Sequence, residues 1–219
     1  CKWFTVSRHP ISRMVSAYYY CQKVPGDQIC ATHVLDASQV DLVTFAKHWG
    51  NLAMRQFVLS IISIDDVMEF SHANAVQESS PEARKHMHGA PGWYLIKLYL
   101  ENQNRAFKNG SIPEAGLYAM LQPVQDLLRD QYSAIGILEE YNTTLSLFNA
   151  ALDMPGVDWH QLFGSVGQVN VNNKSNDEKA VMMAEASTNS EIKKYMQLDL
   201  LLYEHTVDLF HQQARAYDI

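Results

Sequence analysis

The hydrophobic pattern near the start of the chain predicts a strand followed by a helix. Residues 3–7 form a short apolar run, which indicates a buried strand. From Pro10 onwards, apolar residues recur every three or four positions. Proline is favoured at the first position of a helix. We therefore predict a helix over 10–22.

A second strand and helix are predicted late in the chain. Residues 134–138 are apolar and bounded by polar residues, as in a parallel strand that is buried on both faces. The next segment, 140–152, carries its apolar residues on one helical face. The two segments form half of a βα crossover unit. We expect this strand to lie parallel to the strand at 3–7 in one sheet.

Most of the remaining pattern is helical. Apolar spacing predicts helices near 40–48 and over 93–108, whereas the apolar segment at 55–64 fits either a helix or a strand. Turn-forming residues at 78–92 indicate a long exposed loop. The chain is thus predicted to be helix-rich, with few strands.

Two capping boxes predict further helix starts near the C-terminus. Ser175 is followed by Glu178 and Thr188 by Glu191, the spacing at which the two side chains satisfy each other's backbone N–H groups. The second box is predicted to open one long amphipathic helix. With no internal repeat in the sequence, we predict a single domain of class α/β over 1–219.

Composition narrows the functional classes. The chain has 219 residues, enough for one well-cored domain, and its net charge of −7 argues against a nucleic-acid-binding surface. No window approaches the roughly 18 consecutive apolar residues of a membrane-spanning helix. Any membrane attachment is therefore expected to come only from an anchor upstream of this sequence.

The three cysteines, Cys1, Cys21 and Cys30, match no zinc-binding spacing. A turn signal at 24–27 could bring Cys21 and Cys30 together in a disulfide bond. Unpaired, partly buried thiols are the alternative. An oxidising compartment would favour the disulfide bond and the cytosol would favour the thiols.

The segment from Arg8 to Ser16 has the residue types of an anion site. Arg8 follows the predicted strand, and Ser12 and Ser16 lie on one face of the helix that comes next. A guanidinium group, hydroxyl donors and the partial positive charge of a helix start all favour a bound anion. The alternative is that Arg8 is an ordinary ion-pair partner and Ser16 a small packing residue.

The same segment resembles the 3′-phosphate-binding motif of sulfotransferases that use 3′-phosphoadenosine 5′-phosphosulfate (PAPS). In that family a strand leads into Arg, then Asp or His with Pro, and then a helix that ends in Ser-Ala-Tyr. This chain has Arg8-His9-Pro10 and Ser16-Ala17-Tyr18. The resemblance implies that Arg8 and Ser16 hold the 3′-phosphate.

Three later segments are similar, in the same order, to motifs of the membrane-associated carbohydrate sulfotransferases. They are an Asn-x-x-Thr-Arg-like element at 51–57, in which Met54 replaces Thr, a Gly-hydrophobic-x-Glu unit at 136–139, and a terminal loop and helix from Asn172 to Phe210. The terminal loop contains Lys174 and Ser175, which the resemblance places beside the cofactor. For Ser175 a plain helix cap, and for Lys174 a surface charge, are compatible interpretations.

The resemblance implies a P-loop-NTPase-like sulfotransferase fold with a small parallel sheet. It also implies PAPS as co-substrate, no metal, and a hydroxyl acceptor that is expected to be a carbohydrate. The full-length parent protein would then be anchored in the Golgi membrane and face its lumen, with a cytoplasmic protein as the alternative. A non-catalytic, helix-rich binding module derived from a sulfotransferase is the second functional hypothesis.

One family motif is absent from this sequence. No G-x-x-x-x-G-K-[ST] segment, which would hold the 5′-phosphosulfate, occurs in it. We expect that loop and the first βα unit to lie upstream, so the chain by itself is expected to be inactive, and no residue is assigned as catalytic.

Residues 84–88, which combine Arg, Lys and His, fit either an acceptor-binding loop or a solvated charge cluster; a His-x-His metal site is a third, weaker interpretation.

Overall fold

A computed structural model describes residues 2–24, 37–61, 118–164 and 176–219. The chain divides into two compact units, one formed by Cys1–Met54 with Leu121–Ile219 and the other by Arg55–Met120. Almost every described element belongs to the first unit. The predicted loop at 78–92, the predicted helix at 93–108 and the charged segment 84–88 lie outside the described residues. The single domain over 1–219 stays a prediction.

The described elements form a helix-rich α/β arrangement. In chain order they are β1 (Trp3–Ser7), α1 (Pro10–Lys23), α2 (Leu42–Trp49), α3 (Leu52–Ile61), α4 (Leu121–Gln131), β2 (Tyr132–Ile137), a 3-10 turn (Leu138–Glu140), α5 (Tyr141–Leu152), α6 (Trp159–Phe163), α7 (Asn176–Thr188), α8 (Ser190–Tyr195) and α9 (Gln197–Ala216). The helix predicted over 10–22 is therefore confirmed. The ambiguous segment near 55–64 begins as a helix.

Strands β1 and β2 pair in parallel, as the sequence predicts. Their register runs from Phe4 opposite Ala134 to Ser7 opposite Ile137. The second strand starts two residues earlier than expected, and Leu138 belongs to the turn that follows it. Helix α5 packs against β2, so the predicted strand-helix unit is confirmed.

The expected burial of β1 is wrong. Trp3, Phe4 and Val6 are 61%, 44% and 45% exposed, whereas Ala134 and Ile135 of β2 are fully buried. The two strands differ because β2 is covered by α5 and α9, while in the described part of the chain β1 pairs only with β2. An apolar run thus identified the strand without indicating which faces would be covered.

Close packing between β2 and α5 accounts for Gly136. A Cβ atom at this position would collide with the methyl group of Thr144 and come within 3.0 Å of the Phe148 ring. The Thr144 hydroxyl accepts a hydrogen bond from Ile137 N at 2.8 Å and donates one to Ile137 O at 2.9 Å. These contacts fix the end of β2 against the first turn of α5.

The C-terminal helices begin differently from the prediction. Thr188 ends α7, where its hydroxyl donates to the carbonyl groups of Ala184 and Glu185. Asn189 is the residue that caps α8, through its side-chain oxygen. The predicted single long helix is also divided at Met196. The capping box at Thr188 is therefore wrong, because an adjacent Asn supplies the acceptor; Ser175 lies outside the described residues.

Helix α1 lies in a core that includes a disulfide bond. It packs against α2 and α7, with Met14 and Val15 fully buried and Phe45 of α2 fully buried beside them. Cys21, 1% exposed, is disulfide-bonded. Its partner cysteine lies outside the described residues. Cys21 is therefore not a free thiol, while its pairing with Cys30 stays a prediction.

Candidate anion-binding site

The candidate site lies where the two parallel strands end. The carboxyl ends of parallel strands share one edge of the sheet, which is the usual position of ligands in α/β folds. Arg8 and His9 follow the last residue of β1, and Glu139 follows the last residues of β2. This edge is also where α1 begins.

Two cations and two hydroxyl groups lie together on one side of α1. The Arg8 guanidinium donates to the Ser12 hydroxyl from Nε at 3.2 Å and from Nη2 at 3.0 Å. One turn further along α1, the Ser16 hydroxyl lies 3.5 Å from Nζ of Lys179, at the outer limit of a direct hydrogen bond. Lys179 belongs to α7, so the cluster joins two packed helices.

This cluster has more hydrogen-bond donors than acceptors. Arg8 and Lys179 only donate, and the hydroxyl hydrogens of Ser12 and Ser16 have no acceptor among the described residues. In the same part of the chain, neither cation forms a salt bridge to a carboxylate. All four side chains are half-buried rather than fully solvated. An oxyanion would satisfy these donors and neutralise both positive charges.

The Lys179 ammonium is in an unfavourable environment. Burial, and secondly the positive charge of Arg8, lower the pKa of Lys179 from its ordinary value. A half-buried lysine beside an arginine is a costly arrangement for a purely structural role. It is the arrangement expected where a ligand supplies the missing negative charge.

Glu139 connects the end of β2 to the turn after β1 and to α9. Its carboxylate accepts from the backbone N–H of His9 at 3.0 Å and from the Tyr203 hydroxyl at 3.1 Å. Burial, followed by the charge of Glu139, raises the pKa of Tyr203, so this hydroxyl stays protonated as a donor. The two bonds hold the turn that carries Arg8 against β2 and α9.

Helices α3 and α9 cap each other. The Asn51 side-chain oxygen accepts from Leu198 N at 3.0 Å and Asp199 N at 3.2 Å, at the start of α9. In return the Asp199 carboxylate accepts from Ala53 N at 3.1 Å and Met54 N at 2.8 Å, at the start of α3. This reciprocal cap explains the left-handed backbone of Asn51, φ 56°, which asparagine tolerates better than most residues.

Arg13 ties the reciprocal cap to the helix of the candidate site. Its Nη2 lies 2.9 Å from Oδ2 of Asp199, whose side chain is fully buried. Arg13 lies on α1, immediately after Ser12. The position of α1, and with it that of Arg8, Ser12 and Ser16, therefore depends on this buried ion pair.

The structure brings together two of the four residues predicted to bind the cofactor. Arg8 and Ser16 belong to one polar cluster, whereas Lys174 and Ser175 lie outside the described residues. Sequence analysis placed Ser12 on the correct helix face without assigning it a role. Lys179 was missed, because no local motif marks it: it reaches the cluster through the packing of α7 on α1.

The lowered pKa of Lys179 predicts that this residue destabilises the ligand-free protein. The cost of the charged ammonium is fully present below the lowered pKa of Lys179, and it shrinks as the pH rises from that pKa towards the ordinary pKa of lysine. We expect Lys179→Met to unfold at a higher temperature than the wild type near pH 7, by a margin that shrinks at alkaline pH. Thermal unfolding at several pH values measures this.

Sulfate ions provide the second half of that experiment. Sulfate should raise the unfolding temperature of the wild type more than that of Lys179→Met, since the variant lacks one of the two cations. Lys193→Met, at an exposed position on α8, serves as the control and should behave like the wild type in both respects. A stabilised control, or an unchanged Lys179 variant, would contradict the proposed role of the lysine.

Comparisons with protein-family models, with curated proteins and with solved structures gave no match. Among the described residues, no group of three or more His, Cys, Asp or Glu side chains is arranged to hold a metal ion. No helix in the described part of the chain is long and apolar enough to cross a membrane. The candidate site therefore rests on its geometry and on the sequence motifs.

Proposed function

We propose that this chain forms the 3′-phosphate half of the active site of a PAPS-dependent sulfotransferase. The observation that carries the proposal is the cluster of Arg8, Ser12, Ser16 and Lys179 at the carboxyl edge of two parallel strands. Its donors exceed its acceptors, as a phosphate site requires. Two of its members are the residues onto which the sulfotransferase motif falls.

In this proposal each side chain has a distinct task. The planar Arg8 guanidinium has several N–H donors, which suit a bidentate contact with two phosphate oxygens. It can also bind one phosphate oxygen while keeping its bond to the Ser12 hydroxyl. Ser16 donates its hydroxyl hydrogen, and Lys179 adds a second full charge from α7. Lys174 and Ser175 stay proposed members of the same cofactor site. The chain's resemblance to PAPS-dependent enzymes extends the proposal to the P-loop-NTPase-like fold.

The reaction would be in-line transfer of the sulfonate group from PAPS to an acceptor hydroxyl. The S–O bond to the nucleotide breaks, a bond to the acceptor oxygen forms, the hydroxyl proton passes to a general base, and adenosine 3′,5′-bisphosphate leaves. We propose a carbohydrate as acceptor and the Golgi lumen as compartment. The disulfide bond at Cys21 supports a lumenal setting, since disulfide bonds persist in oxidising compartments.

A comparison of two nucleotides tests the proposal. Calorimetric titration should show that adenosine 3′,5′-bisphosphate binds more tightly than adenosine 5′-monophosphate, which lacks only the 3′-phosphate. Each charge-assisted hydrogen bond contributes about 1.5–3 kcal/mol, so the difference in affinity should be about tenfold or more. Equal affinities for the two nucleotides would show that no 3′-phosphate site exists here.

A further inference from the structure

Helix α5 begins with an acceptor sequence for asparagine-linked glycosylation. Asn142-Thr143-Thr144 has the N-x-[ST] pattern. Asn142 is the second residue of α5, its side chain is exposed, and it forms no hydrogen bond with any described residue. The amide group that would carry a glycan therefore lies at the surface, where a large polar substituent is accommodated without repacking.

The disulfide bond at Cys21 indicates the compartment in which this modification takes place. Disulfide bonds form in the oxidising lumen of the secretory pathway and are rare in the cytosol. Cys21 is buried in the core around α1, so the bond is part of the folded structure rather than a surface oxidation. A chain that folds in that lumen passes the enzymes that glycosylate acceptor asparagines.

From these observations we propose that Asn142 carries an asparagine-linked glycan. The donor is an oligosaccharide bound to a lipid pyrophosphate. The side-chain nitrogen of Asn142 forms a bond to the anomeric carbon, the bond between that carbon and the pyrophosphate oxygen breaks, and the lipid pyrophosphate leaves. The displaced amide proton passes to a carboxylate base of the transferase.

The structure also sets the time at which the glycan is added. Thr144 supplies the hydroxyl that the transferase must recognise, yet in the folded chain this residue is fully buried. Its hydroxyl is engaged in both directions with the backbone of Ile137 at the end of β2. Transfer to Asn142 therefore precedes the packing of α5 on β2, and the folded protein is not a substrate.

Expression behind a cleavable secretion signal in cultured animal cells tests the proposal. The signal-cleaved chain is treated with peptide N-glycosidase in heavy-oxygen water, which releases the glycan and converts its asparagine into a mass-labelled aspartate. Mass spectrometry should find the label at Asn142. Asn142→Gln should lose the label there, whereas Thr144→Ser should keep it because serine preserves the acceptor sequence.

Two other acceptor sequences, at Asn109 and Asn173, lie outside the described residues and are scored separately in the same digest. An unlabelled Asn142 in the signal-cleaved chain would overturn the proposal, whatever the other two show.

Folded protein made in bacteria and then added to microsomes should gain no glycan at Asn142. Modification of that folded protein would overturn the order of events. None of these readouts depends on nucleotide binding, so they are independent of the proposed function.

Discussion

Replacing Arg8 with alanine is expected to weaken the binding of adenosine 3′,5′-bisphosphate by about 10- to 100-fold. The substitution removes a guanidinium group, whose charge-assisted contact with a phosphate contributes about 1.5–3 kcal/mol. It should leave the weaker binding of adenosine 5′-monophosphate nearly unchanged, because that ligand has no 3′-phosphate. Calorimetric titration of both nucleotides into both proteins measures the effect.

The matched control for this experiment is Arg215→Ala, which removes an exposed arginine near the end of α9. It should bind both nucleotides like the wild type. An equal loss of affinity for both nucleotides in Arg8→Ala would indicate damage to the fold rather than loss of a phosphate contact. Tight bisphosphate binding that survives the substitution would place the nucleotide elsewhere.

Replacing Asp199 with alanine is expected to lower the free energy of unfolding by about 3–5 kcal/mol. The fully buried carboxylate accepts from Arg13 and from the first N–H groups of α3. Its removal leaves a half-buried guanidinium without its partner and two helix donors without acceptors. Urea denaturation followed by circular dichroism measures the loss.

Asp208→Ala is the control for that substitution, since Asp208 lies on the same helix and is exposed. Its effect should stay within about 0.5 kcal/mol. The double variant Arg13→Met, Asp199→Ala should lose less stability than the sum of its two single variants, because the unpaired charge is then absent. Strict additivity would show that the ion pair does not couple α1 to α9.

The local elements were predictable because their causes are local. A proline at the first helical position and apolar residues at helical spacing determine α1, and two apolar runs identify β1 and β2. The parallel pairing of the strands was predicted from the continuous apolar runs of both, and it is confirmed although β1 is largely exposed. The spacing of Ser12 and Ser16 by four residues placed their side chains on one face of α1 in the same way, with Arg8 directly after the preceding strand.

Other features depended on partners that are distant in sequence. The burial of β2 and the exposure of β1 depend on which helices cover each strand, and the apolar runs of the two strands are alike. The start of α9 was missed for the same reason: its cap is Asn51, about two-thirds of the chain length away in sequence. A capping-box sequence predicts a helix start correctly only when the side chains of the box itself accept from the free N–H groups. Here side chains outside the box supply those acceptors.

The candidate site shows the same division. Sequence alone determined that a guanidinium follows a strand and that two hydroxyls lie on one face of the next helix, a pattern that already favours an anion. Only the tertiary structure brought Lys179 of α7 to Ser16 and placed its charge beside Arg8 without a described carboxylate to balance it. The reason is physical: residue spacing determines which side chains share a face of one element, whereas contacts between elements arise from the packing of their apolar faces.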